Sequence, residues 1–282
     1  MKLNRVLVIH KGASLTESSK LFSRVEWLKR RRQHETSLYE VLQALEASVK
    51  HVEVIDREHL RHIPSYVDLI VTVGGDGTVL AASHALKDTP VLGVNSMPGI
   101  SVGHFCISHS DKLKAVLDQI ANDKIKPSFL PRMQILSNGR PICTPVLNDI
   151  LFTSNSPAES VYYWIQVGRK KEFQRGSGLW ISGGPGSSAG FSSARGKSFS
   201  ITSNVIKYLV REPCPLPKKH YSMLKGSISP RGQLTVTSVS EGGTLYVDGS
   251  IHCIGLKVGQ SFSVTASDQP LPIFLSKKQL GR

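Results

Sequence analysis

The chain has 282 residues, of which 40% are hydrophobic and 20% charged, ordinary proportions for a globular protein of one large or two average domains. Its 35 Lys and Arg against 21 Asp and Glu give a net charge of +14, which favours polyanionic partners: nucleic acid, an acidic membrane surface or a phosphorylated small molecule. No apolar run approaches the roughly 20 residues of a membrane-spanning helix, and the four scattered cysteines (Cys106, Cys143, Cys214, Cys253) exclude the usual zinc spacings and fit a reducing compartment.

From the start of the chain, Val6–His10 reads as a short apolar strand, which leaves no room for a leader and makes the cytosol the expected compartment. Apolar residues at 38, 41, 42, 45 and 49 predict a helix over Ser37–Val49. Val52–Ile55 and Val67–Val73 predict two more strands, Val79–Leu86 a helix and Pro90–Asn95 a fourth strand. A further helix carries Leu113, Val116, Leu117 and Ile120, with Asp111 as its N-cap. Strand alternating with helix over residues 1–123 predicts an α/β domain with a mostly parallel sheet. Ligands of such sheets sit beyond the carboxyl ends of the strands.

After Pro127 the pattern changes to short β runs separated by Gly, Pro, Asn and Ser: Arg132–Leu136, Val146–Thr153, Ser160–Val167, Leu179–Ser182, Gln233–Ser238, Thr244–Val247 and Ser261–Thr265. Residues 124–282 therefore read as an all-β domain of the sandwich type, with the last residues packing back on the first domain. Residues 191–208 leave room for one helix.

Three stretches carry chemistry. The first is Gly74-Gly75-Asp76-Gly77-Thr78, which ends an apolar β-branched run. Paired glycines let backbone approach a ligand and adopt angles closed to other residues. The unpaired amides of the following helix suit phosphate, and the Asp76 carboxylate can accept a hydrogen bond from a substrate hydroxyl. A tight strand-to-helix turn with a solvated Asp is the plain alternative. The second is Asn148-Asp149 between apolar residues, where Asn can read a base edge and Asp a ribose diol; a turn or bulge would explain the pair equally. The third is Gly176 to Ala189, in which Leu179-Trp180-Ile181-Ser182 enters a Gly/Ser loop. Such a loop lets a flat ligand lie against backbone or is simply a flexible surface segment.

In order and spacing these stretches resemble the NAD kinase family. The family carries Gly-Gly-Asp-Gly-Thr, then Asn-Glu, then Asp-Gly-Leu before a Ser/Thr loop ending in Ala-Tyr; here these are Gly74–Thr78, Asn148-Asp149, Ser177-Gly178-Leu179 and Ser182–Gly190. Leu245–Gly249 resembles the late Asp-Gly strand, and Leu256–Gln260 with Pro270-Leu271 the closing segment, so the likeness runs over roughly residues 5–275. The Gly103-His104-Phe105-Cys106 form, together with Ser177 and Tyr162-Tyr163, is similar to the branch holding mitochondrial NAD kinases and plant NADH kinases. Two departures stand out. Ser177 replaces an Asp and Gly190 a Tyr that help hold NAD in the family.

The resemblance implies transfer of the ATP γ-phosphoryl to the adenosine-ribose 2′-hydroxyl of NAD or NADH. Asp76 would orient that hydroxyl, and Gly74, Gly75, Gly77 and Thr78 would meet phosphates. Asn148 and Asp149 would hold base and ribose, with Ser177, Ser188, Ala189 and Asp248 in the same pocket. Mg²⁺ would arrive with ATP and need no dedicated metal site, and a homo-oligomer, dimer or tetramer, would form through the β half. Arg30–Arg32 could touch phosphate or lie on a solvated helix face. A lipid kinase, which shares only the first motif, and a nucleotide-binding regulator that has lost turnover are the rival readings. No nucleic-acid-binding motif supports the basic charge in that role.

Overall fold

The computed structural model describes residues 3–12, 24–217 and 220–281; the basic pair Lys218-Lys219 lies outside them. The chain forms two compact units, residues 3–129 with 271–281, and residues 130–270.

The first unit is a parallel sheet with helices. Its elements are β1 (Arg5–His10), α1 (Arg24–Glu46), β2 (His51–Asp56), β3 (Leu69–Gly74), α2 (Asp76–Ser83), β4 (Val91–Asn95), β5 (Cys106–Ser108), α3 (Leu113–Ala121) and β6 (Ser128–Leu130). The closing segment β18 (Leu271–Ile273) joins the same sheet, whose order is β2-β1-β3-β4-β18-β6 with β5 beside β4. The continuous apolar runs of β3 and β4 are buried at every position, as expected of strands covered on both faces. In this parallel register the carboxyl ends of β2, β1, β3 and β4 fall in one row, at Asp56, His10, Gly74 and Asn95.

Helix α1 begins well before the expected Ser37. Its buried stripe is His34, Ser37, Val41 and Leu45, so the first half points polar residues inward and shows no apolar period. His34 Nδ1 hydrogen-bonds the Ser96 hydroxyl (2.9 Å) and Ser37 donates to the Ser96 carbonyl (3.0 Å). Two corrections concern helix starts. Helix α2 starts at Asp76 rather than Val79, so the glycine motif is its first turn. Asp111 caps nothing; it lies inside a 3₁₀ turn, Ser110–Lys112, that leads into α3.

The second unit is antiparallel. It contains β7 (Met133–Ser137), β8 (Arg140–Pro141), β9 (Asp149–Ser154), β10 (Val161–Val167), β11 (Lys170–Ser182), β12 (Ile206–Pro213), β13 (Lys225–Ile228), β14 (Leu234–Ser238), β15 (Gly243–Val247), β16 (His252–Leu256) and β17 (Ser261–Ala266), with a short helix α4 (Gly190–Ser193). These strands form one hydrogen-bonded sheet of 11, in the order β16-β15-β9-β11-β10-β14-β17-β7-β8 with β12 and β13 branching from β11. β11 joins the two arms because it is 13 residues long. Its first half pairs with β10 and its second with β9, while β12 runs along its other edge. Alternating side chains from both arms meet in one core, where Phe152 packs on Tyr163 and Phe262 at centroid distances of 5.4 and 5.7 Å. The two expected layers are thus parts of one branched sheet.

Candidate active site

In the first unit the site is built where β3 turns into α2. Gly75 is the N-cap, with ordinary extended backbone (φ −123°). None of Gly74, Gly75 and Gly77 has positive φ, so the expectation of special backbone angles fails; what these glycines supply is space. A side chain at Gly74 would run into the Thr78 hydroxyl, and one at Gly75 into that of Ser101. Gly77 is different: it is exposed, and a Cβ there would meet nothing closer than Arg57 Nη1 at 3.8 Å. Thr78 is buried, and its hydroxyl has no partner among the described residues.

Asp76, at the first position of α2, does not project freely. Its carboxylate accepts the backbone N–H groups of His104 (3.0 Å) and Phe105 (2.8 Å). A carboxylate has about four lone-pair positions, so roughly two remain for a ligand. The loop that delivers those N–H groups is itself fixed. Buried Asn95 donates through Nδ2 to the Ser101 carbonyl (3.0 Å) and accepts the Met97 N–H (3.1 Å) through Oδ1. Gly103 sits at φ +67°, against the Asn95 side chain, a conformation that favours glycine. From the closing segment, Gln279 Nε2 donates to the carbonyls of His104 (2.8 Å) and Cys106 (3.0 Å). Burial, and secondarily the Asp76 charge, push the Cys106 thiol up to about 12, so it stays protonated and unreactive. The sequence sets Asn95–Gly103 at a strand's carboxyl end, as it does Gly74–Thr78, but not the supporting contacts of Asn95 and Gly103, and it gave no sign of Gln279. Only Gly103, followed by a polar-aromatic turn, carried a local signal.

In the second unit Asp149 opens β9, opposite Ser182 of β11. Its carboxyl is 5% exposed and is pushed up to about 7, first by burial, then by the Asp248 charge, with a hydrogen bond from the Gly190 N–H acting against both. Asp248 is 3% exposed and holds φ +48°. Its carboxylate accepts the N–H groups of Leu147 (3.0 Å), Asn148 (2.7 Å) and Asp149 (3.2 Å), and its own N–H donates to the Asp149 carbonyl (2.9 Å). Asp248 therefore positions the Asn148-Asp149 backbone rather than offering its oxygens to a ligand.

The Gly/Ser loop is packed, not a flexible linker. Pro185, Gly186 and Ser187 are buried in a 3₁₀ turn. A side chain at Gly186 would overlap the Asn148 backbone, and one at Gly184 the carbonyls of Ser200 and Ile201. These glycines thus receive protein rather than ligand. Ser187 Oγ donates to the Phe199 carbonyl (3.0 Å) and accepts the Phe199 N–H (3.1 Å). Ser188 is exposed and Ala189 half-buried. At Gly190 a Cβ would stand 2.7 Å from Trp180 Cη2, so an indole fills the space around the missing side chain. Trp180 and Gly190 line a cavity of about 700 Å³ together with Arg195, Arg211 and Glu212. Glu212 accepts the Ser177 hydroxyl and, secondarily, pairs with Arg211 (3.6 Å), and both hold its carboxyl below the usual range. Arg195 and Glu212 adopt positive φ, +68° and +44°. The first motif thus gathers in one unit. Asn148, Asp149, Ser177, Ser188, Ala189 and Asp248 belong to the other, with Asn148, Asp149 and Asp248 in direct hydrogen-bond contact.

A parallel sheet with a glycine turn and a backbone-held carboxylate at its carboxyl ends, and an antiparallel unit with a buried carboxylate pair, supply the parts that a nucleotide-binding enzyme outside the P-loop class needs. Residues 5–125 match the ATP-NAD kinase N-terminal domain family. A probable NADH kinase of Oryza sativa subsp. japonica is 30% identical over 236 residues, covering 76% of this chain and 73% of that protein. An NADH kinase of Arabidopsis thaliana is 29% identical over 288 residues, 94% of this chain and 90% of that one. Among solved structures, the NAD kinase of Archaeoglobus fulgidus in complex with ATP superposes with a TM-score of 0.70 at 21% identity, covering 98% of this chain and 96% of that one. Yeast NADH kinase complexed with NADH superposes with a TM-score of 0.71 at 17% identity, covering 99% and 85%. The chain belongs to the NAD kinase family and is an NAD(H)-phosphorylating enzyme. The lipid-kinase alternative, which shared only the first motif, is set aside by matches that continue well beyond it.

Open space at Gly77 gives a first expectation. Gly77→Ala adds a methyl group into ordinary contact distance of Arg57 and replaces glycine by a better helix former. Thermal unfolding should be unchanged or slightly later, while kcat/KM for ATP falls at least tenfold if phosphate lies against that backbone.

Proposed function

We propose that this enzyme transfers the γ-phosphoryl of Mg²⁺-ATP to the adenosine-ribose 2′-hydroxyl of NADH in preference to NAD, yielding NADPH and ADP. The observation that carries the reading is Asp76, whose carboxylate is fixed by two backbone N–H groups and keeps acceptor positions free. It orients the 2′-hydroxyl as that oxygen bonds to phosphorus. The bond to the ADP oxygen breaks, and the hydroxyl proton passes to Asp76 late in transfer. Gly77 leaves the first turn of α2 open to phosphate. Asn148 reads the base edge and Asp149 the ribose diol, with Ser188 and Ala189 beside them. Mg²⁺ would arrive on the nucleotide, keep several waters and take at most one or two carboxylates. When bound, it neutralises phosphate charge.

The preference for the reduced dinucleotide follows from charge. The oxidised nicotinamide ring is a cation and the reduced ring is neutral. Ser177 replaces a family carboxylate, and the cavity beside it holds two guanidinium groups, Arg195 and Arg211, against one carboxylate, Glu212. A nicotinamide seated in this cavity is disfavoured in its cationic form. Trp180, filling the space around Gly190, keeps an aromatic surface and so argues against a regulator that has lost turnover. A homo-oligomer formed through the β unit and a cytosolic location belong to the same proposal. The four free thiols fit a reducing compartment, and no helix among the described residues is long and apolar enough to cross a membrane.

Purified protein incubated with ATP, Mg²⁺ and either NAD or NADH should give the 2′-phosphorylated product, with kcat/KM for NADH at least tenfold above NAD. A ratio near one would remove the charge argument, and no product from either would support the regulator. The same assay has a pH signature. Only ionised Asp149 accepts both hydroxyls of a diol, so kcat/KM for the dinucleotide should rise through about pH 7, and Asp149→Asn should flatten that limb.

A further inference from the structure

The carboxyl ends of the first three strands bring cations together around the first turn of α2. Lys11 follows β1 and Arg57 follows β2. The Lys11 N–H donates to the Val73 carbonyl of β3 (3.2 Å), and the Arg57 N–H to the His10 carbonyl (3.0 Å). Both side chains are half-buried, and neither has a carboxylate in ion-pair contact among the described residues. The Arg57 guanidinium lies 3.8 Å from the Cβ position at Gly77. A full positive charge thus stands at the positive end of a helix, the unfavourable arrangement. Burial first, then Arg57 and Arg30, hold the Lys11 ammonium below its ordinary range. Within the basic run of α1, the Arg30 charge acts on Lys11, whereas Arg31 pairs with Glu35 on the surface (2.7 Å). The nearby carboxylates form no ion pair with Lys11 or Arg57 among the described residues: Asp56 lies against Gly12 and accepts the Glu58 N–H (2.9 Å), and Asp76 accepts the two N–H groups of the following loop.

Lys11 and Arg57, two cations at a helix start with no ion-pair partner among the described residues, are stabilised by a polyanion entering between them. We propose that Lys11 and Arg57 grip the phosphate chain of the donor, setting its transferable end against the open backbone at Gly77. The proposal rests on the kinase reading and adds to it the residues that recognise the donor, by charge on the phosphate chain rather than by the base.

The test separates the two. In steady-state assays, Lys11→Met and Arg57→Met should each raise KM for ATP at least tenfold and change KM for NADH less than twofold, with Lys11→Arg recovering most of the loss. A shift in KM for NADH instead would place the pair at the acceptor and overturn the proposal. Calorimetry with inorganic tripolyphosphate, without dinucleotide, needs no turnover. The wild type should bind it, the double variant Lys11→Met, Arg57→Met at least tenfold more weakly, and wild-type binding should weaken steeply between 50 and 200 mM salt as screening grows. Tripolyphosphate binding without any phosphorylated product would sink the kinase reading alone. Turnover with unchanged KM for ATP and unchanged tripolyphosphate binding in the variants would sink this inference alone. Should the double variant not fold, salt-insensitive binding by the wild type would overturn it equally.

Discussion

Asp76→Asn is expected to lower kcat by two to four orders of magnitude, the usual contribution of a positioned proton acceptor, while the protein remains folded with a small loss of stability. That loss has a specific source. The carboxylate accepts one backbone N–H on each oxygen, from His104 and Phe105. The amide of Asn has one acceptor and one donor, so its NH₂ must face an N–H. A donor left without an acceptor costs about 1–3 kcal/mol when buried, and less here because the His104 side of the turn is exposed. Thermal unfolding should move by a few degrees, and hydrogen exchange at His104 and Phe105 should quicken while the β3 and β4 amides stay protected. Turnover above about a tenth of wild type would show that the carboxylate serves the loop and not the reaction.

The coupling between Asp76 and the loop after β4 also shows what the sequence could carry. The α/β alternation was legible because β3 and β4 are apolar at nearly every position. The glycine motif was legible because few other purposes put Gly-Gly-Asp-Gly at the end of such a strand. The reason for its glycines was not. Gly75 has ordinary backbone, and its small size serves Ser101, which lies 26 residues on in the chain. The first half of α1 escaped notice because its inward face is His34 and Ser37, paired with Ser96, and an apolar period cannot register a polar stripe. β12, β13 and β16 were missed because flanking Pro, Gly and Cys residues blur their alternation, and because pairing along the second edge of β11 is set by tertiary contact. Asp248 was visible as part of an Asp-Gly turn. Its three accepted N–H groups depend on a fold that brings residues 147–149 beside it from about 100 positions earlier.

That arrangement gives the largest stability effect expected in the second unit. Asp248→Ala removes the acceptor for three backbone N–H groups at the buried entry to β9, at about 1–3 kcal/mol for each donor left unsatisfied. It also puts alanine at φ +48°, where Asp is better tolerated. The combined cost, roughly 4–6 kcal/mol after partial relaxation, is a large share of the 5–15 kcal/mol that holds a typical domain. Thermal unfolding should fall by roughly 10–20 °C. Asp248→Asn separates the two roles of the side chain. It keeps one acceptor and the tolerance for positive φ, so it should unfold between wild type and the alanine variant. It also removes the charge that helps raise the Asp149 carboxyl. Asp149 then ionises at lower pH, and the acid limb of kcat/KM shifts below about 7. The shift is partial, since burial is the larger cause. Stability moves with the same group. A carboxyl at about 7 in the folded protein against an ordinary 3.8 stabilises the fold below pH 4, and that contribution is lost as pH rises through 7. Asp248→Asn should therefore flatten the decline in stability between pH 4 and 7. A limb that stays at 7, with an unchanged decline, would mean that Asp248 orders the backbone but does not set the charge of its neighbour.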